Sequence, residues 1–506
     1  MTSRFSTPTS LLRFFVLPAL LAFALVLAGC DDDPVSENGD PGDPDPTVTA
    51  SFTIDPENPE VGEEVTLDGG NSTVQNAGSL SFEWSLTAPS GSNADIADPS
   101  DEITTFTADA EGDYDVTLEV SANGATDSAS ESVTAIDPVA NTEELSSDIT
   151  SDRTLVSETL YTVTSSIDIE ATLTIEPGTT IEFEQGTGFT LPTSTGALVA
   201  DGTEDEPILF TATSEQAGWW DGIYVRSSGN ALNQLNWVTV EYGGGADFRN
   251  SGSGNVVVGR QFGGDSSIDI TNSVLRNSET HGLWVRSNGD VPTFENNTLT
   301  DNEDAPVNIG SNHTHRLDAA SSYTGNDEDY VRVRGGHDID DEDVTWENLD
   351  VDYRLSSSTV EVNSGVTLTI EPGATLEFEQ GGHIELDEQG GLVADGTEDE
   401  PILFTATSEQ AGWWDGIYVR SSDNANNQLN WVTVEYGGGE DFRNSGPGNV
   451  VVGRQFGGNS SIDITNSVLR NSETHGLWVR SNGTVNDDAC DVNTFEDNGD
   501  DDCVIN

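Results

Sequence analysis

One block of this chain is present twice. Residues 198–289 and 392–483 align without gaps at a displacement of 194 and differ only at Gly229/Asp423, Leu232/Asn426, Ala246/Glu440, Ser253/Pro447 and Asp265/Asn459. Upstream, TLTIEPG recurs at Thr172 and Thr367, displaced by 195. A chain that tolerates so long a tandem copy is built in layers, each of which leans on its neighbours rather than on one closed core. Near-identity of this kind marks a recent copying, so it does not tell which residues function requires.

Inside each copy the sequence is a string of short apolar runs: TLTIEPGTTIEFEQG, ALVADG, PILFTAT, DGIYVRSS, NWVTVEYGG, NVVVGRQF, SSIDITNSVLRN and HGLWVRSNG. Gly, Asn, Asp and Ser separate them, and no 3.6-residue apolar period follows the first thirty residues. A sandwich, a barrel and a parallel solenoid all accept such strands. The form strand, Asn corner, strand, Gly turn, strand in IDITNSVLRNSETHGLWVRSNG begins again in TFENNTLTDNEDAPVNI and favours the solenoid. A coil of roughly 22–30 residues then buries alternate side chains inside a tube. Ile268, Ile270, Val274, Leu275, Leu283 and Val285 are expected inside, with corner Asn side chains bonded from coil to coil.

LTIEPGTTIEF, LVADGTEDEPILFTA, GIYV and VTVEYGG resemble the right-handed parallel β-helix proteins exported by bacteria, of the pectate-lyase-like class. The resemblance implies fold more than function, because that fold hosts lyases, hydrolases, adhesins and passive stalks. Ahead of it, VTLDGGNS, LSFEWSL and GDYDVTLEVSA alternate with period two and are separated by turn residues. They resemble a polycystic-kidney-disease-type (PKD) domain, an immunoglobulin-like sandwich that serves as a spacer or a weak binder. Trp84, Tyr114, Val116 and Leu118 are expected in its core. The fold class is therefore all-β: a small immunoglobulin-like sandwich followed by a right-handed parallel β-helix of two duplicated blocks.

The first thirty residues read as a targeting segment. Arg4 and Arg13 precede the apolar run FFVLPALLAFALVLAG, which is short for a membrane span and right for a signal sequence. LAGC, ending at Cys30, resembles a bacterial lipobox, which implies cleavage before Cys30 and lipidation of its thiol. The expected organisation is 1–30 signal, 31–46 acidic tether, 47–138 sandwich, 139–337 first block and 338–506 second block. The expected location is the outer membrane or cell surface, with the membrane reached through lipidated Cys30. Cys490 and Cys503 are the other two cysteines, and in an exported chain they are expected to pair and staple the terminal coil.

Chemistry is sparse. No HExxH, GxSxG, Walker loop or CxxC is present. The enzyme reading, a polysaccharide lyase or hydrolase, thus rests on fold class alone, and a structural stalk is a further alternative. His313, His315 and Asp318 in NHTHRLD form a weak metal motif, and Asp497 to Cys503 loosely resembles a calcium loop without its full spacing. No metal or other cofactor is expected from either, Ca²⁺ being the alternative kept open. The aromatic and basic residues say more. With Ile223, Val225, Leu283 and Val285 inside, alternation turns Tyr224, Arg226, Trp284 and Arg286 outward. The second copy repeats them as Tyr418, Arg420, Trp478 and Arg480. Trp220, Trp237, Trp414 and Trp431 complete the expected binding strip. Aromatic faces beside guanidinium groups suit acidic sugars. The competing reading has the aromatic rings covered by turns and the Arg neutralising local acids. The expected function is binding of a polysaccharide or another surface polymer. A strip present twice would act by avidity.

Charge sets the conditions. The chain carries 91 Asp plus Glu against 17 basic residues, a net charge of −74, and every basic residue is Arg. Nucleic acid is excluded as a partner by that sign, and nothing in the sequence fixes an oligomeric state. A chain so charged repels itself in dilute buffer, whereas at about 1 M salt the Debye length falls to ~3 Å. Such a composition fits a very soluble acidic protein or one from a hypersaline habitat, and the absence of Lys favours the expectation of the second. The midpoint of thermal unfolding is expected to rise between roughly 0.1 and 2 M KCl, and a flat or falling midpoint in differential scanning calorimetry would contradict that reading.

Overall fold

The computed structural model describes residues 46–56, 58–136, 141–246, 252–260, 264–440, 446–454 and 458–506. Cys30, the signal segment and the tether up to residue 45 lie outside the described residues. The chain divides into two compact units, Met1–Pro138 and Val139–Asn506.

The smaller unit is a sandwich of antiparallel strands. Ser81–Thr87, Gly112–Ala122 and Ala125–Ala135 form one three-stranded sheet, and Thr53–Asp55, Glu64–Asp68 and Ile103–Thr107 form another. Trp84, Tyr114, Val116 and Leu118 are buried between them, as alternation predicts. The Trp84 Nε1–H donates to Asp101 O at 2.8 Å, so the largest core side chain buries its ring without orphaning its one polar atom.

The larger unit is a parallel β-helix of three-sided coils. One sheet of thirteen strands runs through both copies. Its inward partners step from Phe189 through Ile223, Val256, Leu283, Val307, Val331 and Tyr353 to Leu376, one residue per coil. All eight are buried, and they belong to a single apolar core running from Leu145 to Ala489. Corner asparagines are bonded between coils: Asn272 Nδ2 donates to Asn236 Oδ1 at 2.9 Å, and Asn236 Nδ2 to Asp201 Oδ1 at 2.8 Å. Asn272 takes φ 52°, a left-handed corner that Asn accepts more readily than most residues. Of the expected inward residues, Val274 is the exception. It is half-buried while Leu275 is fully buried, because adjacent residues of the strand Val274–Arg276 face opposite ways.

The two copies do not stack in phase. In the first, Gly222–Val225 and His281–Val285 lie on the long sheet, and Ile208–Ala212 lies on a separate seven-stranded sheet. In the second, it is Ile402–Ala406 that continues the long sheet. Gly416–Val419 and His475–Val479 have moved to a six-stranded sheet of their own. The displacement of 195 residues between Gly188–Leu191 and its equivalent His383–Leu386 spans seven steps up the long sheet and one additional side of the tube. The copy is therefore turned by one sheet, and identical residues of the two copies face different sides.

The last coil is closed by the Cys490–Cys503 disulfide, which joins the short helix Ala489–Val492 to the terminal strand Cys503–Ile505. A crosslink across so short a loop is worth about 3 kcal/mol of chain entropy. Replacing both cysteines by serine is expected to raise amide hydrogen exchange in residues 489–506 and leave that of residues 222–285 unchanged. Unaltered exchange, or two free thiols in the protein purified without reductant, would remove the staple's role.

Candidate functional site

Strand alternation holds for the members of the expected strip that lie on strands, but full solvent exposure does not. Ile223 and Val225 point into the tube and Tyr224 points away, yet Tyr224 is 3 % exposed and Tyr418 fully buried. A turn covers the second of these: Tyr418 Oη donates to Glu440 O at 2.8 Å. Trp220 and Trp414 are core residues. They sit in a corner, where period two does not apply, and stack on Phe183 and Phe378 with ring centroids 3.9 and 4.0 Å apart. Their indole N–H groups donate to Glu241 O and Glu435 O, each at 2.7 Å. Trp237 and Trp431 occupy left-handed corners with φ 51° and 50° and are half-buried. Arg420 is buried, whereas Arg226, Trp284, Arg286, Trp478 and Arg480 are half-buried. One strip shared by both copies does not exist, because the copies face different sides and five of its members are covered.

What the first copy does present is a shelf centred on Trp284. Arg286 and Arg334 approach the indole ring, their guanidinium carbons 5.4 and 5.8 Å from its centroid. The His281 ring meets it edge-on at 5.0 Å. Gly252 borders the ring so closely that a Cβ there would fall 2.3 Å from it, which excludes any larger residue. Arg334 arrives from two coils further along, on the strand Tyr330–Arg334. It is held by a relay. Burial pushes the His281 pKa down, so the ring is neutral at neutral pH. Its Nδ1 donates to Ala305 O at 2.7 Å, leaving Nε2 to accept from Asn308 Nδ2 at 3.3 Å. Asn308 Oδ1 is then the acceptor for Arg334 Nε at 2.7 Å. Arg334 Nη2 also donates to Val285 O. Burial, and secondarily the charge of Arg286, lowers the Arg334 pKa to about 10, so it stays cationic at neutral pH.

Charge pairing divides this surface. At the edge of the shelf Asp304 lies 3.6 Å from His281 Nε2 and pairs with Arg332 at 3.2 Å; Arg332 also pairs with Glu328 at 3.0 Å, and Arg354 with Glu377 at 2.9 Å. Among the described residues no carboxylate lies within 4.0 Å of Arg226, Arg260 or Arg334. The second copy behaves otherwise with the same arginines. Arg420, the equivalent of Arg226, is buried against Glu385, and Asp387 lies 3.6 Å from it. The difference comes from the preceding coil, outside the near-identical block. There the strand Gly188–Leu191 followed by Pro192 is neutral, and His383–Leu386 followed by Asp387 is acidic. Arg260, Arg334, Asn308 and His281 were not legible as site residues, because each comes from a different coil. The strand-ending arginines in VVVGR and YVRVRGG were the available signal.

Neither metal motif gathers ligands. His313 Nδ1 lies 3.4 Å from Asp290, His315 Nε2 lies 3.7 Å from Glu342, and Arg316 bonds Asp290 at 3.0 Å. A cation there would compete with an arginine already in place. Burial, followed by the charge of Arg316, lowers the His315 pKa to about 4. Among the described residues, those of Asp497 to Cys503 included, no group of three or more His, Cys, Asp or Glu is placed to hold a metal ion.

Residues 147–259 and 337–451 match the pectate-lyase like beta helix domain family, and residues 57–135 match a PKD domain family. The chain thus carries a PKD domain followed by a pectate-lyase-like β-helix in two blocks, the modules of a surface or polysaccharide-associated protein. No curated protein and no solved structure matches it. The contrast between the copies has a measurable consequence. Glu385→Ala leaves Arg420 buried without its nearest carboxylate and is expected to cost about 3 kcal/mol. Thr190→Ala, at the equivalent site, is expected to stay within roughly 0.5 kcal/mol. Chemical denaturation at fixed KCl compares them, and equal costs would contradict the assignment.

Proposed function

We propose that this is a lipid-anchored cell-surface protein whose β-helix binds a polysaccharide on the Trp284 shelf of the first copy. The anchor is Cys30, and the acidic tether and PKD domain act as spacers. The observation that carries the binding reading is electrostatic. In a chain with 91 acidic residues against 17 basic ones, Arg226, Arg260 and Arg334 cluster on the coils around one half-buried indole with no carboxylate within 4.0 Å among the described residues. An aromatic face beside cationic donors binds sugar rings through C–H contacts and acidic or hydroxyl groups through hydrogen bonds. The pectate-lyase-like fold is also compatible with a lyase or hydrolase, the second reading. Release of unsaturated or reducing ends from a bound polymer separates that reading from simple binding.

Binding is tested with a panel of neutral and acidic polysaccharides in concentrated KCl. Trp284→Ala is expected to weaken binding by about 1–3 kcal/mol, the range for a central aromatic anchor, and Trp478→Ala to leave it unchanged. Loss through Trp478 instead would move the site to the second copy, and no binding to any polymer would sink the reading. Cys30→Ser is expected to release the protein from the membrane fraction, and retention of that variant would contradict lipid anchoring.

A further inference from the structure

Three strands of the second copy bring together a hydroxyl, an imidazole and a carboxylate. Thr359–Val362, His383–Leu386 and Gly416–Val419 are successive strands of one six-stranded sheet, in which Thr359 pairs with His383 and His383 with Gly416. With Val360 and Ile384 in the core, alternation sets Thr359 and His383 on the outward face. Thr359 Oγ1 lies 3.0 Å from His383 Nε2, and Asp415 Oδ2, just before the third strand, lies 3.6 Å from His383 Nδ1. A carboxylate facing Nδ1 holds the ring proton there and leaves Nε2 to accept from the Thr359 hydroxyl. His383 and Asp415 are buried, whereas Thr359 is half-buried. Tyr418 stands edge-on to the imidazole with ring centroids 5.8 Å apart. Burial, followed by the charge of Glu440, raises the Asp415 pKa to about 6, so the carboxylate is anionic in mildly alkaline buffer.

The first copy lacks the ring. It keeps the carboxylate as Asp221, but Gly188 stands in the place of His383. The segments beside Thr359 on the neighbouring coils are glycine pairs. Gly336 N donates to Thr359 O at 2.7 Å, and a Cβ at Gly382 would fall 2.9 Å from Ser356 O. Gly335–Gly336 and Gly381–Gly382 therefore bring backbone, and no side chain, up to the strand that carries the hydroxyl. A hydrogen bond that only ties two coils together requires neither a carboxylate on the far ring nitrogen nor an approach of this kind.

We propose that Thr359, His383 and Asp415 form an acyl-transfer site that hydrolyses esters of short carboxylic acids. Thr359 Oγ1 attacks the ester carbonyl carbon while His383 Nε2 takes its proton. The carbon–oxygen bond to the alcohol then breaks, and Nε2 returns the proton to the leaving oxygen. Water attacks the acyl-threonine and gives a proton to Nε2. The bond to Oγ1 breaks as that proton passes back to it. The products are a carboxylic acid and an alcohol, with water the only co-reactant. Thr359 and His383 are the catalytic residues, and Asp415 is a positioning residue that orients the ring and favours its cation. A Cβ at Gly335 would fall 2.6 Å from Thr359 O, so the approach is narrow and suits a short acyl group. The site is separate from the Trp284 shelf, which lies on the thirteen-stranded sheet.

The test uses the full chain at fixed KCl with p-nitrophenyl acetate, followed by nitrophenolate release and by peptide mapping of acid-quenched protein. The chain has no Lys, so it lacks the side chain that such reagents acylate most readily in the background. Hydrolysis above the buffer rate and an acetyl group on Thr359 are expected. Thr359→Val, which keeps the shape and removes the hydroxyl, is expected to abolish both, and Thr359→Ser to retain both. His383→Asn is expected to lower the rate at least about 100-fold, within the range for a general base. Asp415→Asn is expected to lower kcat at least about tenfold with KM unchanged, and to move the His383 proton from Nδ1 to Nε2 in ¹⁵N spectra. Hydrolysis no faster than buffer, acetylation that spares Thr359, or an unchanged rate in Thr359→Val overturns the proposal, as does an unchanged rate in folded His383→Asn. The mapped adduct and the Thr359→Val and Thr359→Ser comparison decide the matter where the His383 or Asp415 variant does not fold.

Discussion

Everything in the larger unit depends on coil-to-coil register. Each strand is hydrogen-bonded to one strand above and one below, so a side chain's surroundings are fixed by three coils and by little else. The apolar stack from Phe189 to Leu376 shows what this demands: one buried residue of fitting size on every coil. It also shows what is left free. Any block that delivers such a residue at each step joins the stack, wherever it begins in the three-sided cycle. The second copy does this one side out of phase and still continues the same thirteen-stranded sheet.

That freedom explains how nearly identical residues come to do different work. Arg226 and Arg420 have identical neighbours in sequence and the same backbone bond to the preceding coil. Their surroundings differ because Thr190 precedes one where Glu385 precedes the other. In the second copy the guanidinium is enclosed with its counter-charges, a pairing that is costly to break and is not by itself a large source of stability. In the first it borders solvent. The duplication thus repeats the indole with its Arg and His neighbours, Arg480 4.8 Å over Trp478 and His475 4.8 Å from it, but not the charge surroundings of the other arginines, because a coil's outer chemistry belongs to the pair of coils that meet there.

Much of the fold was legible because it is written in period two. Alternation identifies Ile223, Val225, Leu283 and Val285 as core, and the same alternation identifies Trp84 and Leu118 in the sandwich. It fails at corners. Trp220 follows a turn at Gly218 with φ 72° and enters the core, and Val274 follows the left-handed Asn272 and leaves it. Alternation is also silent about cover: it directs Tyr224 away from the core without revealing what lies over it. The candidate site was only partly legible for a third reason. Trp284 and Arg286 lie two residues apart in one strand and could be paired by eye, whereas Arg334 reaches the same indole from two coils away through Asn308 and His281. No local spacing encodes that distance.

The electrostatics of the shelf follow from where it sits. A net charge of −74 creates a field that favours cations near the surface and opposes the approach of an acidic polymer. In dilute buffer that field reaches across the molecule, and binding of a polyanion would have to overcome it before any contact formed. At about 1 M salt the field is confined to ~3 Å. Long-range repulsion then disappears, and so does long-range steering. What remains is direct contact: a guanidinium hydrogen bond within reach of a carboxylate and an indole face against a sugar ring. Both act at separations shorter than the screening length or without charge at all. On the proposed reading, a basic shelf on an otherwise acidic tube would take an acidic sugar best where salt is concentrated, the condition that would also screen the tube's own repulsion.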